Sequence, residues 1–152
     1  MQTQLLKIEE GSYKDALYNQ SLISEHWEEL ESRKDILQVN VDYERFEMLE
    51  KAGMLLTLIA KQNTEVVGYS INILSTHLHH KDTLMCYNDL LFLTKSKRNG
   101  TLGIKLINHT EELAKVKGAK MMFWHSKTNT PLSKILPRMG NTLYEQVFLK
   151  EL

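Results

Sequence analysis

The stretch from Leu84 to His125 restricts what this chain can fold into more than any other. It opens with an apolar run, Leu84–Thr94 (LMCYNDLLFLT), whose second half is apolar without alternation, as in a strand covered on both faces. A polar, basic, glycine-bearing turn follows, Lys95–Gly103 (KSKRNGTLG), and it opens directly into Leu102–Lys117. There Leu102, Leu106, Leu113 and Val116 supply a helical stripe that Gly118 ends. Ala119–His125 (AKMMFWH) reads as a short buried strand. Strand, helix and strand in that order demand a right-handed crossover between parallel strands.

Upstream, the pattern is antiparallel. Met54–Lys61 and Val66–Ser75 flank the turn Gln62-Asn63-Thr64-Glu65 and form a hairpin, with a second turn at His77–Thr83. Gln4–Ile8 reads as an opening strand ended by Gly11-Ser12. From Ser12, the spacing of Ala16, Leu17, Ile23, Trp27 and Leu30 predicts a helix broken midway, with Ser12 as N-cap and Asp15 completing a capping box. Asp42 caps a second helix through Lys51, which carries Tyr43, Phe46 and Leu49 on one face and stops at Gly53. Near the end, Thr130-Pro131 starts a helix that Pro137 kinks or shortens and Gly140 ends, and Leu143–Leu149 is the last strand material. The expectation is one α/β domain over residues 1–152. Its sheet is mixed and mostly antiparallel, with about six or seven strands and about four helices.

Composition removes several classes of function. Lys+Arg and Asp+Glu are 19 each, so no net positive charge favours nucleic acid. One cysteine, Cys86, excludes an internal disulfide and a Cys-rich zinc site, and its expected state is a buried, inert thiol. No apolar run is long enough to span a bilayer, and Met1–Glu10 lacks the features of a secretory signal, so the expected location is cytoplasmic. His77, His79 and His80 fall in a turn without a nearby cysteine and read as a solvated hairpin, so no metal is assigned.

The turn before the third long helix carries the chemistry. A helix start exposes unpaired N–H groups at the positive end of its dipole, a setting that favours phosphate or pyrophosphate. Asn99–Ile104 is so placed, Gly100 and Gly103 leave the backbone open to a ligand, and Lys95, Lys97, Arg98 and Lys105 add positive charge. The nucleotide loops GxGxxG and GxxxxGK[ST] are both absent.

The element order and the run Arg98-Asn99-Gly100-Thr101-Leu102-Gly103-Ile104-Lys105-Leu106-Ile107 resemble the GNAT N-acetyltransferase superfamily, whose acetyl-CoA loop reads Gln/Arg-x-x-Gly-x-Gly/Ala. Arg98 and Gly103 match the ends of that loop; Thr101 stands at the middle glycine position and Gly100 lies one residue early. The chain also resembles short bacteriophage-encoded GNAT proteins in Trp124-His125-Ser126-Lys127 and Leu132–Gly140.

The resemblance implies a GNAT-type sheet with a splayed parallel pair and acetyl-CoA as cosubstrate, lying along Asp89–Thr94. The Leu91 amide would face the thioester carbonyl and Leu93 the pantetheine amide, while Arg98, Asn99, Gly100, Thr101, Gly103 and Ile104 would hold the diphosphate and Asn129 would complete the cofactor site. Asp89 is the implied general base, and His125, ending the next strand, is a second base or relay. Leu136 occupies the position of the family's proton-donating tyrosine, so Tyr144, Tyr87 or water would protonate the leaving thiolate. The implied acceptor is an amine on a small molecule or a protein. The alternative is a catalytically weakened accessory protein that binds a host protein; a homodimer stays open. The acidic stretch Glu25–Glu31 is either an attractor for a cationic acceptor or a solvated helix face.

Overall fold

The computed structural model describes residues 5–152. β1 (Leu6–Glu10) lies within one turn of its predicted place, and Gln4 of that expectation is outside the described residues. The first predicted helix is two. α1 (Tyr13–Leu17) starts at the Ser12–Asp15 capping box, and α2 (Gln20–Leu30) starts afresh because the Asn19 side chain accepts from the Leu22 N–H at 3.1 Å. α3 (Tyr43–Lys51) is capped by Asp42, and Gly53 leaves it at a φ of 70°, the left-handed geometry glycine adopts without strain.

β2 (Leu55–Gln62) and β3 (Glu65–His77) form the first hairpin through Asn63 (φ 54°), and β4 (His80–Leu93) returns alongside β3. A 3-10 turn at Lys95–Lys97 leads to α4 (Leu102–Val116), which crosses over to β5 (Met121–Phe123). α5 (Pro131–Ile135) ends before Pro137, which opens a 3-10 turn reaching Met139. The described sheet has five strands in the order β1-β2-β3-β4-β5, antiparallel throughout except for the β4–β5 pair. The sixth strand fails: Leu143–Leu149 adopts no regular structure, because no neighbouring edge meets its backbone. No helix among the described residues is long and apolar enough to cross a membrane.

Helices cover both faces of the sheet. On one, Tyr13, Ala16, Leu17, Leu22 and Ile23 pack on Ile59, Tyr69, Ile71 and Phe92. On the other, Leu106 and Ala114 of α4 pack on Leu56, Leu58, Leu74 and Cys86, and Leu102 packs with Ala60, Val67 and Leu93. Each buried leucine, isoleucine or phenylalanine among them contributes about 1.5–3 kcal/mol when removed from water.

β4 changes phase partway along. Ile71 pairs with Leu90 but Asn72 pairs with Asn88, so Asp89 is the extra residue of a β-bulge. Before it, Leu84 and Cys86 face α4; after it, Leu91 and Leu93 do, while Leu90 and Phe92 face the other core. A buried polar chain sits behind the bulge. The Asn88 amide donates to the Leu90 carbonyl (3.1 Å) and to Asn72 Oδ1 (2.9 Å), and the Asn72 amide donates to the Leu56 carbonyl and Ser70 Oγ, both at 3.0 Å.

Candidate active site

The parallel pair is short and then parts. β5 matches β4 only at Met85–Met121, Cys86–Met122 and Tyr87–Phe123, whereas β4 stays paired with β3 as far as Leu93 opposite Gly68. From Asn88 onward, one edge of β4 therefore borders a fork. The direction of its backbone groups follows from two contacts. The Thr94 N–H donates to the Val67 carbonyl at 2.9 Å, and the Phe92 carbonyl lies so close to Gly68 that a Cβ there would sit 2.7 Å from it. Backbone groups alternate sides along a strand, so Phe92 and Thr94 face β3, and the N–H and C=O of Leu91 and Leu93 face the fork.

Above the fork stands the amino end of α4. Its first turn rests on Leu93: Leu102 shares a core with it, and a Cβ on Gly103 would lie 3.7 Å from its side chain. Thr101 occupies the N-cap position without a capping hydrogen bond from its side chain, and no protein acceptor among the described residues meets the Leu102, Gly103 and Ile104 N–H groups. Asn99, Gly100 and Thr101 form the exposed approach to that end, and Lys95, Lys97 and Lys105 have no carboxylate partner among the described residues.

Arg98 points elsewhere. Its Nη1 and Nη2 donate to the two carboxylate oxygens of Glu29 at 2.5 and 2.7 Å, its Nε donates to the Leu93 carbonyl at 2.6 Å, and its guanidinium lies over the Phe92 ring. The charge that the sequence assigns to a diphosphate is spent on α2. Glu25 continues the clamp by accepting from the Thr94 hydroxyl at 2.8 Å. Glu28 pairs with Lys34, and Glu31 lies 3.8 Å from Lys127. The acidic stretch Glu25–Glu31 is thus neither a free attractor nor a bare solvated face; it ties α2 to the turn before α4 and to the segment after β5.

Asp89 and His125 flank the fork. Surrounding protein desolvates the Asp89 carboxyl and raises its pKa, with His125 and Arg45 pulling the other way, although one side of the residue stays open to solvent. His125 Nδ1 lies 2.6 Å from the Asn88 carbonyl, which can only accept, so Nδ1 carries the proton and Nε2 keeps its lone pair in the neutral ring. Tyr144 is exposed, its ring edge on Phe123 at 5.7 Å, and Phe123 stacks on Tyr87 at 5.0 Å, which sets both tyrosines near the point where the strands part. Asn129 holds a φ of 61° just before Thr130, the N-cap of α5. Leu136 is buried, a packing residue at the end of α5.

No protein-family model matches the sequence, and no curated protein is detectably similar to it. Solved structures are. A ribosomal-protein-alanine N-acetyltransferase from Brucella melitensis biovar Abortus 2308 superposes with a TM-score of 0.75 at 13% identity, over 97% of this chain and 98% of that one. The aminoglycoside N-acetyltransferase AAC(6')-Iy in complex with CoA gives 0.69 at 17% identity, over 99% and 97%. A transcriptional regulator from Bacillus halodurans C-125 gives 0.76 at 16% identity, over 97% and 100%. The fold is the GNAT fold.

Within the GNAT fold, several residues that shape the fork escaped the sequence reading. Asn88, Asn72 and Ser70 hold the bulge, and Glu25 and Glu29 hold the turn. Asn88-Asp89, the polar break in an otherwise apolar strand, was the available signal for the first group; the one-turn spacing of Glu25 and Glu29 was the signal for the second. Elsewhere, Cys86 is buried and its thiol pKa is pushed up to about 12 by desolvation. His77, His79 and His80 sit exposed at the β3–β4 tip, and no three His, Cys, Asp or Glu side chains among the described residues are placed to hold a metal ion.

Proposed function

We propose that this chain moves an acetyl group from acetyl-CoA to an amine by direct attack, with no covalent enzyme intermediate. The observation that carries this reading is the meeting at Leu93, where fork-facing backbone groups of β4 and the uncapped amino end of α4 come together. A ligand with an amide-bearing arm and a diphosphate at its far end fits that pairing. The glycines add support. Neither Gly100 nor Gly103 has a positive φ, and a Cβ at either would meet nothing closer than 3.7 Å, so the protein's own packing does not call for glycine there. Close approach of a ligand to the backbone does.

Bound acetyl-CoA would supply a thioester with a good leaving group. The Leu91 N–H donates to the carbonyl oxygen as that oxygen gains negative charge. Asp89, with His125 Nε2 as relay, takes the proton that an amine must lose before its nitrogen can form the new C–N bond. As the C–S bond breaks, Tyr144, Tyr87 or a water molecule returns a proton to the thiolate. Arg98 keeps the turn in shape through Glu29 and the Leu93 carbonyl. Leu93, Asn99, Thr101, Ile104 and Asn129 line the remaining cofactor path. The acceptor is an amine on a small molecule or a protein, and the reaction belongs to the cytoplasm.

A second reading is favoured by Leu136, which is buried and has no proton to give at the family's tyrosine position. In it the chain is an accessory protein of the short phage-encoded kind, keeping the cleft and binding a host protein. Isothermal titration with acetyl-CoA, on the native chain and on Gly103→Glu, tests both. The acetyltransferase reading expects binding that the variant abolishes, and turnover on a panel of amines. No binding at millimolar acetyl-CoA removes it, and tight binding without turnover moves the assignment to the accessory protein.

A further inference from the structure

The turn before α4 is anchored on both sides. Arg98 is pinned by Glu29 and by the Leu93 carbonyl, and the Thr101 carbonyl accepts from the Lys105 N–H at 2.9 Å. Asn99 and Gly100 lie between these anchors. Both are exposed, and among the described residues neither backbone N–H meets an acceptor and the Asn99 side-chain amide has no hydrogen-bond partner. The pair is also singular in the sequence, where Asn99 is the only asparagine followed by glycine. Elsewhere the amides are engaged: Asn19 caps α2, Asn63 Oδ1 accepts from the Leu5 N–H, and Asn72 and Asn88 bond each other in the core. An exposed asparagine before glycine has a reaction open to it. The next backbone nitrogen can reach the side-chain carbonyl carbon when no Cβ stands in the way and no hydrogen bond must be given up.

We propose that Asn99 is a site of spontaneous deamidation, a modification that puts a carboxylate beside the amino end of α4. The Gly100 nitrogen loses its proton and bonds to Asn99 Cγ, the Cγ–Nδ2 bond breaks, and Nδ2 leaves with that proton as ammonia. Water then opens the cyclic imide at either carbonyl carbon, giving aspartate or its isomer in which the chain runs through the side-chain carbon. No oxidant or second enzyme enters. Lys97 and Lys105 have no carboxylate partner among the described residues, and positive charge there favours the nitrogen anion that attacks. The carboxylate formed suits the positive end of a helix, so the fold survives, but it repels phosphate oxygens approaching the same place. Each molecule would thus hold its full affinity for a limited time. The conversion needs nothing from the proposed reaction; only its effect on acetyl-CoA rests on that reading.

The test follows the native chain in warm, mildly alkaline buffer over several weeks, beside a synthetic peptide of residues 95–105. Mass spectrometry of the tryptic fragment 99–105 is expected to show steady conversion of the amide to an acid, with isoaspartate at Asn99. The isoelectric point should move to the acid side of about 7.0. Asn40, equally exposed but followed by Val41, should stay an amide. Gly100→Ala fits the turn, since a Cβ there meets nothing within 4 Å and the φ is not positive, and it should slow the conversion many-fold. An Asn99 that keeps its amide while the peptide loses its own overturns the proposal, as does conversion of Asn40 at the same rate. Asn99→Asp should melt no lower than the native chain and bind acetyl-CoA at least about ten-fold more weakly. Equal affinity overturns the effect on the cofactor. A native chain that binds no acetyl-CoA removes the acetyltransferase reading and not the conversion, which the fragment mass decides by itself.

Discussion

Arg98 and Glu29 form a two-pronged ion pair, at 2.5 and 2.7 Å, between the turn that precedes α4 and the last turn of α2. The turn therefore takes its shape from a helix nearly seventy residues earlier, and the positive charge next to the helix end is partly neutralised before any ligand arrives. Glu29→Gln keeps the size of the side chain and removes the charge. It should lower stability at neutral pH by roughly 1.5–3 kcal/mol, the range for hydrogen bonds to charged groups. The Arg98 hydrogen bonds hold the Glu29 pKa below its ordinary 4.5, so this stabilisation is complete above that value and fades as pH falls through the lower, folded-state pKa. Urea unfolding of both proteins from neutral pH down to pH about 3 should show the gap between them closing with acid.

Gly103→Ala separates stability from binding. Alanine is favoured over glycine by about 0.5–1 kcal/mol in a helix interior and by less in the first turn, where Gly103 stands, and the added methyl group meets only Leu93 at ordinary contact distance. The variant should melt at the same temperature or higher. Its acetyl-CoA affinity should nonetheless drop, because the methyl group stands where the ligand approaches the backbone. Calorimetry and titration on one preparation decide it, and an unchanged affinity removes Gly103 from the site.

Asp89→Asn should behave in the same divided way for a different reason. Desolvation raises the Asp89 pKa, so the charged form is disfavoured in the folded state, a penalty absent at low pH and felt as pH rises through that raised pKa. The amide escapes it. The variant should be at least as stable as the native chain at pH 7, bind acetyl-CoA equally well, and turn over at least ten-fold more slowly. Native turnover should rise with pH along a limb that the variant lacks.

His26 sets an acid limit on the same layer. It stacks on Phe92 at 4.7 Å, lies 2.6 Å from the Tyr69 hydroxyl, and burial lowers its pKa from 6.5 to about 4. The unfolded chain thus binds a proton that the folded one refuses, so stability should decline as pH falls from about 6.5 to about 4. His26→Asn should flatten that segment of the profile while costing stability at pH 7 through lost stacking, and denaturant midpoints at half-unit pH steps would show both effects.

What could be read in the sequence was periodic or punctuated. The α4 stripe closed by Gly118, the Ser12–Asp15 box and the Asp42 cap are local devices, and the structure has each of them, save that Val116, the last residue of the predicted stripe, is exposed. The single helix predicted from Ser12 divided because Asn19 caps as well as Ser12 does, and a stripe of apolar residues continues across a cap without a break. The bulge at Asp89 left almost no trace, since its cause is pairing with Asn72 on another strand. The Arg98 ion pair left no trace for the same reason: its partner, Glu29, is far away in sequence. Leu143–Leu149 has the composition of a strand, but a strand is made by its neighbour's backbone, and among the described residues no backbone hydrogen bond joins this stretch to another strand.

The bulge has a bearing on how sequences like this one can drift. A chain that lost Asp89 would set Asn88 and Leu90 opposite Asn72 and Ile71 in an unbroken ladder, so Leu91 and Leu93 would keep their layer and their fork-facing amides, and only the bend in β4 and the carboxylate it carries would go. The spare position is thus the one that inheritance can drop without disturbing the alternation on either side of it, and its retention speaks for the side chain it holds rather than for the ladder around it.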